Sequence, residues 1–163
     1  MSDTRVKIWK VLYDPETSAS VVLLQNETAD RVLPIWVGQS EALSIAMASE
    51  GIKLPRPMTH DLLRSLIDVL GARLDWVRVH DLKDGTFYAK LHFTSARNEK
   101  IELDARPSDS IALALRTNAP IFVSEKVFKE SVKTDSELPS KLEDIEEDFL
   151  ANLPDDIFGK YKM

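Results

Sequence analysis

The sequence predicts an α+β fold: two copies of a strand–strand–strand–helix unit, with buried helices packed on mainly antiparallel sheets. Three observations predict it. Residues 40–47 (SEALSIAM) match residues 108–115 (SDSIALAL) in size and polarity at every position, and self-similarity at a fixed offset marks an internal repeat. At that same offset residues 18–25 fall on 86–93 and residues 31–37 on 99–105, without a gap. Both matched helices are apolar on nearly every side, so each has to be buried against a sheet. The two units, about 6–58 and 74–126, are expected to fold face to face, bringing polar groups from distant stretches into one hollow.

Residues 6–13 alternate in part, 21–24 form an apolar β-rich run and 32–37 follow a polar turn, which reads as three strands. Ser40 starts a helix as its N-cap and Gly51 stops it, because glycine accepts the left-handed conformation. Residues 59–70 are amphipathic, with Leu62, Leu63, Leu66, Ile67 and Leu70 assigned inward and Asp61, Arg64 and Asp68 outward; Gly71 ends the helix. Residues 74–81, 87–93 and 101–105 repeat the strands, and Lys83-Asp84-Gly85 carries the Asp-Gly hairpin signal. Ser108 is the matching N-cap of the second buried helix. Beyond a polar stretch at 133–139, Ser140 and Glu143 form a capping box, and Leu142, Ile145 and Phe149 continue at helical spacing.

A chain of 163 residues is one domain-sized unit, here residues 1–132 with an acidic helical tail at 133–163. The absence of Cys, with only three His, excludes disulfide scaffolds, thiolate zinc sites and cysteine nucleophiles. No apolar run reaches the roughly 20 residues of a membrane span and the N-terminal stretch lacks a signal-peptide core, which predicts a cytoplasmic protein with no membrane partner. The net charge is −6, and residues 133–163 hold four Lys against nine Asp and Glu, so the body is close to neutral. Such a body holds nucleic acid through a few local arginines, not through bulk charge. The acidic run at 143–148 is either a solvated face or a mimic of nucleic-acid charge.

No Walker loop, dinucleotide fingerprint, HExxH or GxSxG occurs. Two polar clusters remain. Pro55 and Pro57 hold Arg56 in extended backbone. His60 precedes Arg64 by one helical turn at a helix start, so Arg56, His60, Arg64 and the free amides there are candidates to receive a phosphate. Alternatively, Arg56 and His60 tie the loop down through Glu50 or Asp61. In the second cluster Asp104 and Asp109 flank a strand-to-helix turn, as candidate ligands for one divalent cation, and Arg106 between them can steady a phosphate oxygen. Alternatively, Asp109 serves the helix dipole while Asp104 and Arg106 pair. His80 and His92 read as strand-surface residues, Tyr88 as packing and Arg116 as a helix-end cation.

Four motifs in order, residues 31–38 (RVLPIWVG), 55–62 (PRPMTHDL), 84–89 (DGTFYA) and 104–109 (DARPSD), make the chain resemble the bifunctional nuclease family. The likeness runs from about Val6 to Phe128. It implies a duplicated α+β domain acting on DNA and RNA, often assembled as a homo-oligomer, and it makes Arg56, His60, Asp61, Asp104, Arg106, Ser108 and Asp109 the motif positions. Where many bacterial members carry a UvrB/UvrC-like helical module, this sequence has the acidic segment. The expected activity is therefore a phosphodiesterase. Asp104 and Asp109 would hold Mg²⁺ or Mn²⁺ that activates water, His60 would be general acid or base, and Arg56, Arg64, Arg106 and Ser108 would bind substrate. The competing expectation is a non-catalytic regulatory or anion-binding oligomer, whose polar motifs fasten the fold.

Overall fold

The structure, a computed structural model, describes residues 2–14, 16–134 and 143–144. Strands β1 (Asp3–Asp14), β2 (Ala19–Asn26) and β3 (Val32–Val37) lead into helix α1 (Gln39–Ser49), followed by α2 (Thr59–Val69). Strands β4 (Arg73–Lys83), β5 (Thr86–Thr94) and β6 (Lys100–Ala105) lead into α3 (Pro107–Thr117), then β7 (Ile121–Ser124), α4 (Glu125–Thr134) and β8 (Glu143–Asp144). The fold is α+β. Among the described residues the strands share one sheet in the order β3-β2-β1-β7-β4-β5-β6, with β8 beside β1, and only the β4–β7 pair is parallel.

The two strand–strand–strand–helix runs do not face each other. They lie edge to edge in the single sheet, because β7 pairs with residues 3–6 of β1 and with residues 77–79 of β4. Strand edges carry unpaired N–H and C=O groups, and one central strand satisfies both edges. The Asp84-Gly85 hairpin forms as expected: Lys83 pairs with Thr86, and both loop residues have positive φ, 50° and 75°, the geometry of a primed turn.

Helices α1 and α3 lie against one another on one face of the sheet. Ala42, Ala46, Ala112 and Ala114 are buried there, with Ile45 and Ile111 set on Val22, Leu24, Val77 and Val79. The expected serine N-caps shift: Gly38 caps α1 and Arg106 caps α3, neither through a side-chain hydrogen bond, so Ser40 and Ser108 sit inside the first turns.

Helix α2 departs most from expectation. Its leucines at 62, 63, 66 and 70 are exposed and Val69 is 82% exposed, while His60 is buried and Ile67 half-buried. The reason is that α1 and α3 already cover the core face, and α2 docks on α3 through its polar side, with Asp61 turned in to Arg116. In the tail, Glu143 and Asp144 form a strand on Leu12 and Tyr13 instead of the expected helix. The short β7 leaves that stretch of β1 without a partner, and β8 takes it. The rest of the expected tail helix lies outside the described residues.

Strand β7 and helix α4 add to the elements expected from sequence. Four residues are too few to show alternation, but Ser124 bonding the Val127 amide at 3.4 Å, with Val127, Phe128 and Ser131 buried, is a helix start readable in retrospect.

Candidate functional site

The start of α3 is where the predicted residues meet. After β6 ends, Pro107 at the first helical position has no N–H to donate, so the chain turns at Arg106 in extended backbone (φ −67°, ψ 146°). The Arg106 guanidinium donates through Nε to Asp109 Oδ2 at 2.9 Å and through Nη2 to Glu41 Oε1 at 3.1 Å. The other Asp109 oxygen lies 2.9 Å from His60 Nε2, and His60 Nδ1 lies 2.7 Å from Ser44 Oγ. Glu41, Arg106, Asp109, His60 and Ser44 thus form one polar chain drawn from α1, α2 and α3. Burial pushes the Asp109 carboxyl upward, but the hydrogen bonds from His60 and Arg106 outweigh it and hold the group below its ordinary value. The Asp109 bond raises the Arg106 pKa in return.

Ser44, His60 and Asp109 are the residue types of a hydrolytic triad, but the likeness stops at composition. Ser44 and His60 are buried, and both ring nitrogens of His60 are engaged. A nucleophile has to reach its substrate; here the serine fastens the ring. Beside it, Arg116 is nearly sealed and ties three helices together. It donates to Asp61 Oδ1 at 2.7 Å, to the Ala112 carbonyl at 2.9 Å and to the Ser44 carbonyl at 3.2 Å. Asp61 also accepts the Met58 amide at 3.0 Å, which closes the start of α2. Its carboxyl, too, is held low by Arg116 and that amide against the opposing effect of burial.

The polar chain opens on a groove of about 410 Å³ lined by Trp36 and Gly38 from the β3–α1 junction, Phe87 after the β4–β5 turn, and Arg106, Pro107 and Ser108. The Arg106 side chain is 65% exposed although it is paired twice.

Other predicted residues stand apart. Arg56 is exposed and makes no hydrogen bond or ion pair among the described residues. Arg64 is exposed on α2 beside Asp68, at 3.9 Å. Asp104 is opposite Lys90 on β5, whereas its neighbours at 89 and 105 pair on the core side; strand alternation therefore turns Asp104 to the face away from the helices. Asp104 and Asp109 do not converge on one cation position, and both Asp109 oxygens are already bonded. Among the described residues no group of three or more His, Cys, Asp or Glu is arranged to hold a metal ion.

Ser44, Glu41, Trp36 and Phe87 were not anticipated. The repeat held the signal for one of them: Glu41 and Asp109 occupy equivalent first-turn positions after Ser40 and Ser108, and Arg106 bridges the two carboxylates. His80 and His92 are half-buried rather than on the surface. Each leaves a buried Nε2 without a hydrogen-bond partner, and the His92 ring stacks on Trp76 at 4.8 Å. Burial, with Lys90 and Arg78 nearby, lowers both pKa values.

With this geometry in place, residues 21–136 match the family model of the bifunctional nuclease domain. The chain belongs to the bifunctional nuclease domain family. An uncharacterized protein of Mycobacterium tuberculosis is 46% identical over 126 residues, 77% of this chain and 74% of that protein. Bifunctional nuclease 1 of Oryza sativa subsp. indica is 27% identical over 133 residues, 80% of this chain and 40% of the rice protein. Bifunctional nuclease 2 of Arabidopsis thaliana is 25% identical over 109 residues, 66% of this chain and 33% of its own length. The family match spans both halves of the polar chain, Glu41 and Ser44 as well as Arg106 and Asp109. Among the described residues no helix is long and apolar enough to cross a membrane.

Proposed function

We propose that this member of the bifunctional nuclease domain family cleaves phosphodiester bonds in nucleic acid at the start of α3. The supporting observation is Arg106: two carboxylates orient it, yet most of its side chain remains open to solvent beside helix amides that no side chain caps. Such a preorganised cation stabilises charge that develops on a phosphate oxygen. Asp109 is the carboxylate at its side, and His60, with both nitrogens occupied, acts through Asp109 as a positioning residue. The pair expected to hold a cation does not fit one, so no step is assigned to a metal here.

The test is cleavage of single-stranded DNA and RNA by purified protein, with Mg²⁺, with Mn²⁺ and with EDTA. Arg106→Ala is expected to lower the rate by about 100-fold or more, as loss of a charge-stabilising donor does elsewhere, and Asp104→Asn to leave it unchanged. Full activity in Arg106→Ala would refute the assignment; activity lost only in EDTA would bring a cation back into the reaction.

A second reading is favoured by how thoroughly the motif residues pair among themselves: a non-catalytic anion-binding protein. It expects no turnover at stoichiometric protein, and unfolding when Asp109 or Arg106 is replaced.

For assembly, we propose a second copy of the chain on the exposed face of α2. Leu62, Leu66 and Val69 recur at helical spacing there. An antiparallel pair of α2 helices centred on Leu66 sets Leu62 against Leu70 and Leu63 against Val69, which is the self-complementarity a two-fold interface needs.

A further inference from the structure

We infer that the pocket between β4, the end of β7 and the start of α4 binds a phosphate group, free or carried on a nucleic-acid backbone. It lies on the other face of the sheet from α3 and does not depend on the cleavage assigned there. Val77 and Val79 are fully buried in the core under Ile111, so strand alternation turns Arg78, between them, to the opposite face. There Arg78 and His80 of β4, Ser124 of β7, Glu125 and Lys126 of α4, and Ser2 line a pocket of about 430 Å³. That volume falls within the roughly 300–1,000 Å³ of small-ligand sites.

Hydrogen-bonding capacity selects the ligand. The acids around the pocket are already engaged. Both Glu125 oxygens accept from Arg31, and one accepts from Thr4 as well. Asp81, next to His80, takes Lys126 at 2.6 Å, Lys83 at 2.9 Å and the Leu82 amide at 3.0 Å. Asp3 lies against Arg78, which donates to it through Nη2 at 2.9 Å and holds Nε 2.9 Å from its other oxygen. The donors are not used up. Arg78 Nη1 has no partner among the described residues. The Lys126 ammonium, 54% exposed, gives one of its three N–H groups to Asp81, with Glu130 no nearer than 3.9 Å. With acids engaged and donors left over, the pocket suits a ligand that only accepts. A phosphate turns acceptor oxygens in several directions at once, toward a guanidinium, an ammonium and an imidazole.

His80 supplies the third donor. Neither of its ring nitrogens is hydrogen-bonded among the described residues, and Nε2 is sealed from solvent, which leaves Nδ1 to meet a ligand. A half-buried imidazole with no partner on either nitrogen is uncommon in a polar setting. Burial, with Lys90 and Arg78, holds this ring below its ordinary pKa against the opposing effect of Asp81 and Asp104. A bound anion favours the charged ring, so occupancy of the pocket raises that pKa.

The test follows the ring signals of the three histidines in the full chain by proton NMR at constant ionic strength, with His80 assigned from His80→Asn. Inorganic phosphate is expected to move the His80 signal saturably and to raise its pKa. Lys126→Ala should weaken binding about tenfold, the loss of one hydrogen bond to a charged group, and Arg78→Ala at least as much. Lys126 is exposed enough for its variant to fold whatever Arg78→Ala does. Lys100→Ala, which removes a cation paired with Asp75 outside the pocket, should change nothing. Hexathymidylate separates the two sources. A His80 shift with it as well assigns the pocket to a nucleic-acid backbone; a shift with inorganic phosphate alone assigns it to a free phosphate group. A His80 signal that neither probe moves, that answers acetate equally, or that phosphate moves undiminished in Lys126→Ala overturns the inference.

Discussion

Replacing His60 by Ala separates a structural role for this imidazole from a chemical one. The ring is 7% exposed and joins the Ser44 hydroxyl at 2.7 Å to the Asp109 carboxylate at 2.9 Å. Removal leaves Ser44, in the buried centre of α1, with no hydrogen-bonding side chain, and strips one contact from a carboxylate that is a third exposed. A buried polar group left unpaired costs about 1–3 kcal/mol. The Asp109 side falls at the low end because water can replace part of its loss. Together they give about 2–4 kcal/mol, a large share of the roughly 5–15 kcal/mol that holds a domain folded. Urea denaturation followed by circular dichroism measures it. Ser44→Ala, which removes only the Nδ1 partner, should cost about 1 kcal/mol, and the double variant should cost less than the two single losses added, since the residues touch. A His60→Ala protein within about 0.5 kcal/mol of the parent, yet inactive on nucleic acid, would refute this reasoning and make the imidazole a reacting group.

Burial lowers the pKa of His80 and His92 below the ordinary histidine value; the unfolded chain binds those protons first, so their contribution is complete above about pH 6.5 and is lost as pH falls through the folded values. Denaturant midpoints from pH 7.5 to 5 should fall in the parent and fall less in a His80→Asn/His92→Asn double variant. Asp75 bonds Thr94, Arg73 and Lys100, with the Thr94 bond the main cause of a pKa lowered to about 2. Asp75→Asn should therefore destabilise at pH 7, with the gap to the parent closing as pH approaches 2 in the same assay. Leu66→Glu on the exposed face of α2 should shift the light-scattering mass in solution to that of one chain without lowering the melting temperature; an unchanged mass would exclude that face as the interface.

Local chemistry made the fold legible. Val32–Val37 appears with the bounds read from its polar-turn flank, the Asp84-Gly85 turn could be assigned from two residues, and the apolar helices were bound to be buried. What failed depended on competition for cover. Periodicity identifies the apolar stripe of α2 but not whether another element needs that space, and α1 with α3 had already filled the core face. The site was half legible. His60, Arg106 and Asp109 stood out as polar residues beside turns, whereas Ser44 was hidden in a run of apolar neighbours. Asp104 is close to Asp109 along the chain, but strand parity, with Asp104 opposite Lys90, sends its side chain to the other face.

Strand β7 is made late and sits in the middle. Until Ile121–Ser124 emerges during synthesis, the inner margins of two three-stranded blocks wait open, each with idle backbone donors and acceptors. The four residues that join them are also the most sequence-distant partners β1 has within the family-matched region. Assembly of the sheet is thereby deferred to the end of the domain, and a chain halted before Ile121 would present two sticky borders at once.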